Sequence, residues 1–486
     1  MSDVNTGSAG GQRRWLILGV IGLAQLMVVL DVTVMNIALP SAQRALHFST
    51  VDRQWVVTAY TLAFGSLLLL GGRLADLLGR KVTFLVGLLG FAGVSAIGGA
   101  SVNFTMLITA RACQGAFAAI LVPSALSLLT TTFTEPRERG KAFGVYGAIA
   151  AAGSAVGLLL GGALTSYLSW RWTLYINLFF AGLAFAGGLL LLKRQPSPVK
   201  PTLDIPGVLL VSSGVFCLVY GFSNAATHDW HTPSTYGFLI AGVVLLIVFA
   251  VWQGRAAHPL LPPRVALDRN RGGAYLSMLI AAAGMFATFL FLTYYMQLTL
   301  HYSALKCAFA FLPFSGGVIF SAGMASQLLP RLGPRVLMVG GLTMAALGLG
   351  WFTQIGLHTS YVAHVLPAEL VVSIGLGFVF VPFSSTALIG VAPHDAGVAS
   401  ALVNATQQVG GSLGLALLNT VANSAALSYR ASHHGPSVFA LAPVHGYVTG
   451  FVVSAIVLAL AMLMSLALIR ASRNDLAPAD ALVPVG

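Results

Sequence analysis

Polar side chains along this chain gather into short clusters. Between them run fourteen apolar stretches, at about 15–39, 55–71, 82–102, 104–131, 141–165, 172–192, 207–224, 234–254, 272–297, 305–328, 335–356, 361–385, 398–421 and 446–469. A helix needs about 20 mostly apolar residues to cross roughly 30 Å of hydrocarbon, and the stretches are close to that length. None alternates apolar and polar positions over about ten residues, as a barrel strand would. The pattern predicts an all-α integral membrane protein with fourteen spans.

Lysine and arginine placement is an independent check on that count. With the N-terminus inside, the inner segments hold nineteen of the 25 basic residues, from Arg13 and Arg14 to Arg470 and Arg473. The outer segments hold five (Arg44, Arg53, Arg171, Lys306 and Arg430), and Arg111 falls within a span. This bias follows the positive-inside rule and places both termini in the cytoplasm of a cell-membrane protein. The first stretch is longer than the hydrophobic region of a cleaved leader, so it reads as a retained helix.

Composition then removes whole classes of function. Hydrophobic residues make up 57% of the 486 and charged residues 8%, with a mean hydropathy of +0.87, which excludes a soluble multidomain protein. The net charge of +12 would suggest nucleic acid in a soluble chain. Here the basic residues are topological signals, and no nucleic-acid partner is expected. Cys113, Cys217 and Cys307 lie in apolar stretches without metal-ligand spacing, and the histidines fall mostly in loops. No metal, cofactor or disulfide framework is expected. The chain has no GxxxxGK[ST] loop, HExxH or GxSxG, which argues against an ATP-driven pump and against an enzyme.

The chain also repeats itself. GRLADLLGRKV (72–82) lines up with SQLLPRLGPRV (326–336), and Gly140, Gly153 and Gly157 line up with Gly397, Gly410 and Gly414. One six-span unit used twice, with an additional pair between the copies, gives a 6+2+6 plan. Its segments are a tail at 1–14, bundles at 15–192 and 272–470, the linkers and additional pair at 193–271, and a tail at 471–486. Repeated halves around a midplane site suit alternating access.

Candidate chemistry follows from what is scarce. Asp31, Glu369 and Arg111 are the charges well inside spans, and a mid-bilayer charge costs about 3 kcal/mol on insertion scales. Asp31 and Arg111 can act in proton coupling or simply satisfy each other. Glu369 can be a second protonation site, an anchor for a cationic substrate, or a permanently neutral hydrogen-bonding acid. Gly153, Gly157 and Gly161 recur every four residues and make a smooth stripe for close helix contact, and Gly162 follows them. Gly72, Asp76, Gly79, Arg80 and Lys81 crowd one turn, which reads either as a conformational latch or as a solvated basic loop. Asn36, Trp55, Tyr60, Phe64, Gln114, Tyr146, Phe286, Tyr294 and Glu369 are candidates to line a lipophilic cavity. Core packing or an interfacial belt is the alternative for the aromatic ones.

The order GxLADxxGRK in loop 72–81 resembles the loop between spans 2 and 3 of the major facilitator superfamily. LDVTVMNIALP (30–40) resembles the first-span motif of that family's fourteen-span drug:proton antiporter branch, with Asp31, Thr33, Asn36 and Pro40 in register. RACQG (111–115) resembles the fourth-span motif and places Arg111 and Gln114. GSAVGLLLGG (153–162) resembles the antiporter motif of span 5, with Leu158 where proline is usual. WRWTLYINL (170–178) resembles the start of span 6, with Phe179 in place of a common proline, and Leu77 departs from a basic residue often found in the latch loop.

The resemblance implies a major-facilitator fold, two six-helix bundles plus two additional central helices. It implies a latch at Asp76 and Arg80, and proton-driven export of lipophilic drugs or antibiotics, cationic ones included. The expected partners are a small-molecule substrate and the lipid bilayer, the coupling ion is the proton, and the expected state is a monomer. A dedicated exporter or importer of one metabolite on the same scaffold is the alternative, and a non-transporting membrane sensor the rival of another class.

Overall fold

The computed structural model describes residues 5–49, 52–133, 135–193, 204–228, 230, 232–257, 259–391 and 396–472. All regular structure among them is helical. In chain order the helices are α1 (Asn5–Leu46), α2 (Arg53–Leu78), α3 (Arg80–Gly99), α4 (Phe104–Thr132), α5 (Pro136–Ala163), α6 (Trp172–Leu191), α7 (Ile205–His228) and α8 (Pro233–Arg255). The short α9 (Pro263–Ala266) precedes α10 (Arg269–Tyr294), α11 (Ala304–Ala310), α12 (Leu312–Phe352), α13 (Leu366–Ala387), α14 (Ala396–Ser432) and α15 (Val438–Leu468). Single π-helical turns close α5 (Leu164–Leu168) and α10 (Tyr295–Thr299) and open α13 (Tyr361–Val365).

Local sequence sets the ends. Asn103 Oδ1 accepts from Met106 N at 2.8 Å, Asp268 Oδ1 from Arg271 N at 3.0 Å and Ser303 Oγ from Lys306 N at 3.2 Å, so α4, α10 and α11 each start on a side-chain cap. Gly79 (φ +90°) ends α2 and turns the chain into α3, and Gly333 (φ +77°) breaks α12 just before Pro334. A side chain at either position would be strained, because that backbone region suits glycine.

The chain forms two compact units. The first comprises Met1–Phe216 with Tyr302–Phe311, and the second Cys217–His301 with Leu312–Gly486. In the first, α1 packs on α5 and α6, α3 on α6, and α4 on α2 and α3. In the second, α10 packs on α14 and α15, and α12 on α13 and α15. The packing of α10 on α14 and α15 parallels that of α1 on α5 and α6. In the second unit, Asn224 ties α7 to α8 through Ser234 and Thr235 at 2.9 and 3.0 Å.

The repeat extends to the charges. Lys81 Nζ donates to the Leu192 and Leu189 carbonyls at 2.5 and 3.0 Å, and Arg13 Nη2 to Leu191 O at 3.1 Å, capping α6. Arg335 Nη2 donates to Leu466 O at 2.6 Å, and Arg269 Nη2 to Ala467 O at 3.0 Å, capping α15. Cations at helix C-termini satisfy the last carbonyls and oppose the negative end of the dipole.

Large apolar side chains are exposed along whole faces, among them Val86, Leu89 and Ile97 on α3, Ile240, Val243 and Ile247 on α8, and Ile456, Leu460 and Leu463 on α15. Hydrocarbon is the solvent such faces require. Ten helical segments among the described residues are long and apolar enough to cross a membrane. The fourteen stretches read from the sequence do not all meet that measure. Trp55–Leu68 in α2 and Ala152–Leu168 at the end of α5 are further apolar stretches among the described residues, and Ala304–Phe352 counts once although Gly333 divides it. α14 carries Asn404, Gln407, Gln408 and Asn423, which lower its apolarity.

Candidate functional site

Asp31 lies on α1 between fully buried Leu30 and Val34, and is itself 1% exposed. Its carboxylate is met by side chains from other helices of the first unit. Arg111 Nη1 on α4 donates to Oδ2 at 2.5 Å. Gln114 Nε2, one turn along α4, donates to Oδ1 at 3.1 Å, and Asn177 Nδ2 on α6 donates to the same oxygen at 2.7 Å. Gln114 also donates to Ser95 Oγ on α3 at 2.7 Å and accepts from Arg111 Nη1 at 2.9 Å. Arg111 Nε donates to Val56 O on α2 at 3.1 Å, and the guanidinium carbon stands 4.5 Å from the Tyr60 ring centroid. Five helices therefore converge on one ion pair.

The spacing explains the convergence. Residues three apart share a helix face, so Arg111 and Gln114 point the same way. The guanidinium neutralises the carboxylate, and the aromatic face adds a cation–π contact. Removing one partner of a buried pair costs about 3–5 kcal/mol, because the other charge is left uncompensated. Chemically, the carboxylate can exchange its ion pair for a proton, and Arg111 is then released from its anionic partner.

Sequence reasoning found Asp31, Arg111, Gln114 and Tyr60, and the structure joins them. It missed Asn177 and Ser95. Phe64 packs its ring 5.9 Å from that of Tyr60. Trp55 is half-buried on α2 near the start of the helix. Tyr146 on α5 donates to Gln25 Oε1 at 2.5 Å, away from the carboxylate. Asn36 lies one turn before Pro40 on α1, and its Oδ1 is buried without a partner.

Glu369, grouped with Asp31 and Arg111 in the sequence reading, lies in the second unit and takes no part in their network. It is fully buried in the first turn of α13, where Oε2 accepts from Tyr361 OH at 3.3 Å and Oε1 has no partner. In the same unit Tyr294 is buried, and Phe286 fills the space above Gly411. A groove of about 400 Å³ between α3 and α4, lined by Val94, Ile97, Met106, Thr109 and Cys113, contains none of the predicted cavity residues.

The glycine stripe of α5 faces α1. A Cβ on Gly153 would sit 2.9 Å from Leu26 Cδ1, one on Gly157 would collide with Thr33 Oγ1, and one on Gly161 would sit 2.8 Å from Val34 Cα. Gly162 turns instead to α11, where a Cβ would lie 2.9 Å from Leu305 Cα, and Ser166 Oγ accepts from Leu305 N at 3.2 Å. Leu158 keeps its N–H, and α5 stays α-helical through it to Ala163.

In the predicted latch, close approach belongs to Gly71, whose Cβ would collide with the Ala119 backbone, while Gly72 has ordinary room beside Pro123. Gly79 supplies the positive φ, Arg80 opens α3, and Lys81 caps α6. The Asp76 side chain lies outside the described residues.

The chain matches the Major Facilitator Superfamily family model over residues 21–415. It is 49% identical over 469 residues to the puromycin resistance protein pur8 of Streptomyces alboniger, covering 96% of this chain and 93% of that protein. It is 39% identical over 431 residues to the cephamycin export protein CmcT of Amycolatopsis lactamdurans, covering 86% and 88%. Among solved structures, a bacterial homologue of the human lysosomal transporter Spinster, inward-facing and occupied, superposes with a TM-score of 0.65 at 14% identity, covering 95% of this chain and 98% of that one. At that identity the likeness shows the fold.

Proposed function

The chain belongs to the major facilitator superfamily, a multi-pass membrane transporter family, and from that premise we propose that it exports lipophilic antibiotics or drugs, cationic ones included, in exchange for protons. The observation that carries the coupling is the buried Asp31–Arg111 pair with its amide and hydroxyl neighbours. An acid that is costly to bury and whose ionised form is held by hydrogen-bonding side chains suits reversible proton uptake. The export direction and substrate class rest on the relatives, whose names read puromycin resistance and cephamycin export.

In this reading Asp31 carries the proton, Arg111 and Gln114 compensate its charge, and Glu369 serves cationic substrate or a second proton. Gly72, Asp76, Gly79, Arg80 and Lys81 latch one conformation, and the α5 glycines let α1 and α5 slide. The protein crosses the cell membrane fourteen times on the 6+2+6 plan, with both termini in the cytoplasm, where the basic residues concentrate. It works as a monomer with no cofactor beyond the coupling proton. One proton crossing 100 mV supplies about 2.3 kcal/mol, enough for roughly a fifty-fold gradient.

The test is proton release on addition of puromycin, then of a panel of lipophilic compounds, to energised inverted vesicles containing the protein. Substrate-dependent collapse of the pH gradient supports antiport, and efflux without proton movement would refute the coupling. A second reading, export of a single antibiotic, is favoured by relatives named for one compound each. A response to one member of the panel alone would select it.

A further inference from the structure

Asn177 is fully buried on α6, and its Nδ2 donates to Asp31 Oδ1 at 2.7 Å, closer than Gln114 at 3.1 Å. Its own Oδ1 is buried and has no hydrogen-bond partner. Buried polar atoms are nearly always paired, so an orphan acceptor beside an ionisable group calls for an explanation.

The surroundings of Asp31 are built for its ionised form. Arg111 from α4 is the facing charge, and the Tyr60 phenol from α2 lies against the guanidinium. Gln114 and Asn177 both present N–H groups, and α3 contributes the uncharged Ser95. Tyr146 on α5 is committed to Gln25. A neutral Asp31 carries an O–H instead, and that hydrogen needs an acceptor. Gln114 Oε1 is occupied by Arg111 Nη1, and Ser95 Oγ already receives two amide groups and donates to Phe91 O at 2.7 Å. The Tyr60 hydroxyl oxygen is also without a partner, but makes no hydrogen bond to the carboxylate. Asn177 Oδ1 is the unused acceptor on a side chain already touching Asp31.

We propose that Asn177 reads the protonation state of Asp31: its Nδ2 holds the carboxylate, and the amide turns over to accept the carboxyl O–H at Oδ1 once Asp31 has taken up a proton. The inference rests on the reading of Asp31 as the coupling acid. In the step, an O–H bond forms on Asp31 Oδ1 with a proton from the aqueous phase. The Asn177 N–H···O contact is replaced by O–H···O, and no other group changes charge. Turning the amide also withdraws Nδ2 from Ser95 Oγ, which it reaches at 3.4 Å, so proton uptake alters a contact between α3 and α6. Asn177 is thus a positioning residue that links the proton to helix packing.

Infrared difference spectroscopy of the reconstituted full-length transporter during a pH titration tests this. The carboxyl C=O band of neutral Asp31 is identified by its loss in Asp31→Asn. The amide C=O band of Asn177 is identified by its loss in Asn177→Leu, and in Asn177→Ser should the leucine variant fail to insert. The expected result is an Asn177 amide band that changes with the same midpoint as the Asp31 carboxyl band and vanishes in Asp31→Asn. Efflux by Asn177→Leu should show a shifted pH profile and not a uniform loss, because the lost bond is made to the ionised form. Asn177→Ser, which keeps a donor and an acceptor, should recover part of that shift. A normal Asp31 band with no Asn177 amide change, or a variant whose efflux falls equally at every pH, would overturn the proposal and leave the coupling reading standing. A carboxyl band that survives Asp31→Asn would overturn both.

Discussion

Arg111 Nη1 lies 2.5 Å from Asp31 Oδ2 although 80 residues separate them, and neither side chain reaches solvent. The geometry makes each the other's condition for burial. Asp31→Asn should insert normally but lose proton-coupled efflux. Either single neutralisation, Asp31→Asn or Arg111→Gln, should lower stability by about 3–5 kcal/mol, and the double variant should lose less than the sum. Thermal unfolding in detergent measures this, and strictly additive losses would show that the pair is not coupled.

Gly157 sits where α5 comes closest to the Thr33 side chain, two residues beyond Asp31. Gly157→Ala should cost about 1–3 kcal/mol through overpacking and slow efflux. Thr33 Oγ1 donates only locally, to Val29 O and Leu30 O at 3.1 Å. Adding Thr33→Ala to Gly157→Ala should therefore restore most of the lost stability and rate. No rescue in the double variant would place the damage elsewhere.

The paired helix caps predict a matched response. Lys81→Met should raise amide exchange in the last turn of α6 about 2–5-fold and leave α15 unchanged, and Arg335→Met should do the reverse. Hydrogen exchange with peptide-level resolution separates the two helices. An equal change in both would mean that the substitutions act on global stability and not on the caps.

Glu369 has a buried oxygen without a partner, and the hydrogen bond it accepts comes from the uncharged Tyr361 hydroxyl. Glu369→Gln should weaken transport of a cationic substrate by about tenfold, equivalent to about 1.4 kcal/mol. A neutral substrate of similar size should be nearly unaffected. Equal losses for the two compounds would remove Glu369 as a cation anchor.

Membrane topology can be read by labelling. In a background without Cys113, Cys217 and Cys307, Ser437→Cys should react with an impermeant thiol reagent from outside intact cells. Arg264→Cys should react only after permeabilisation. Outside labelling at position 264 would break the fourteen-span arrangement.

Much of the site was visible in the sequence because charge is conspicuous in an apolar run. Asp31 and Arg111 stand out for that reason, and Gln114 follows Arg111 on the same helix face. The glycine stripe is equally visible, since its period of four is local. Asn177 and Ser95 are neutral and small, and nothing in TLYINL or VSAIGG separates a polar residue that serves a carboxylate from one that bonds its own backbone. The orphaned Asn177 Oδ1 is a property of three-dimensional placement alone. Lys81 reads as a loop charge because its acceptors, Leu189 and Leu192, lie more than 100 residues away. The span count is less legible: α14 mixes amides into its apolar run, and ten segments among the described residues are long and apolar enough to cross a membrane.

The contact between Ser166 and Leu305 sets a timetable for synthesis. Those residues are 139 apart, and α11 completes the first compact unit although it is encoded far downstream. A ribosome adding about 5–20 residues per second delivers α11 roughly 7–28 s after Ser166. Throughout that interval Gly162 and the end of α5 are in the membrane without their neighbour, and the nascent chain depends on lipid or insertion machinery to cover them. Biogenesis of the first bundle thus finishes only when translation is well into the second.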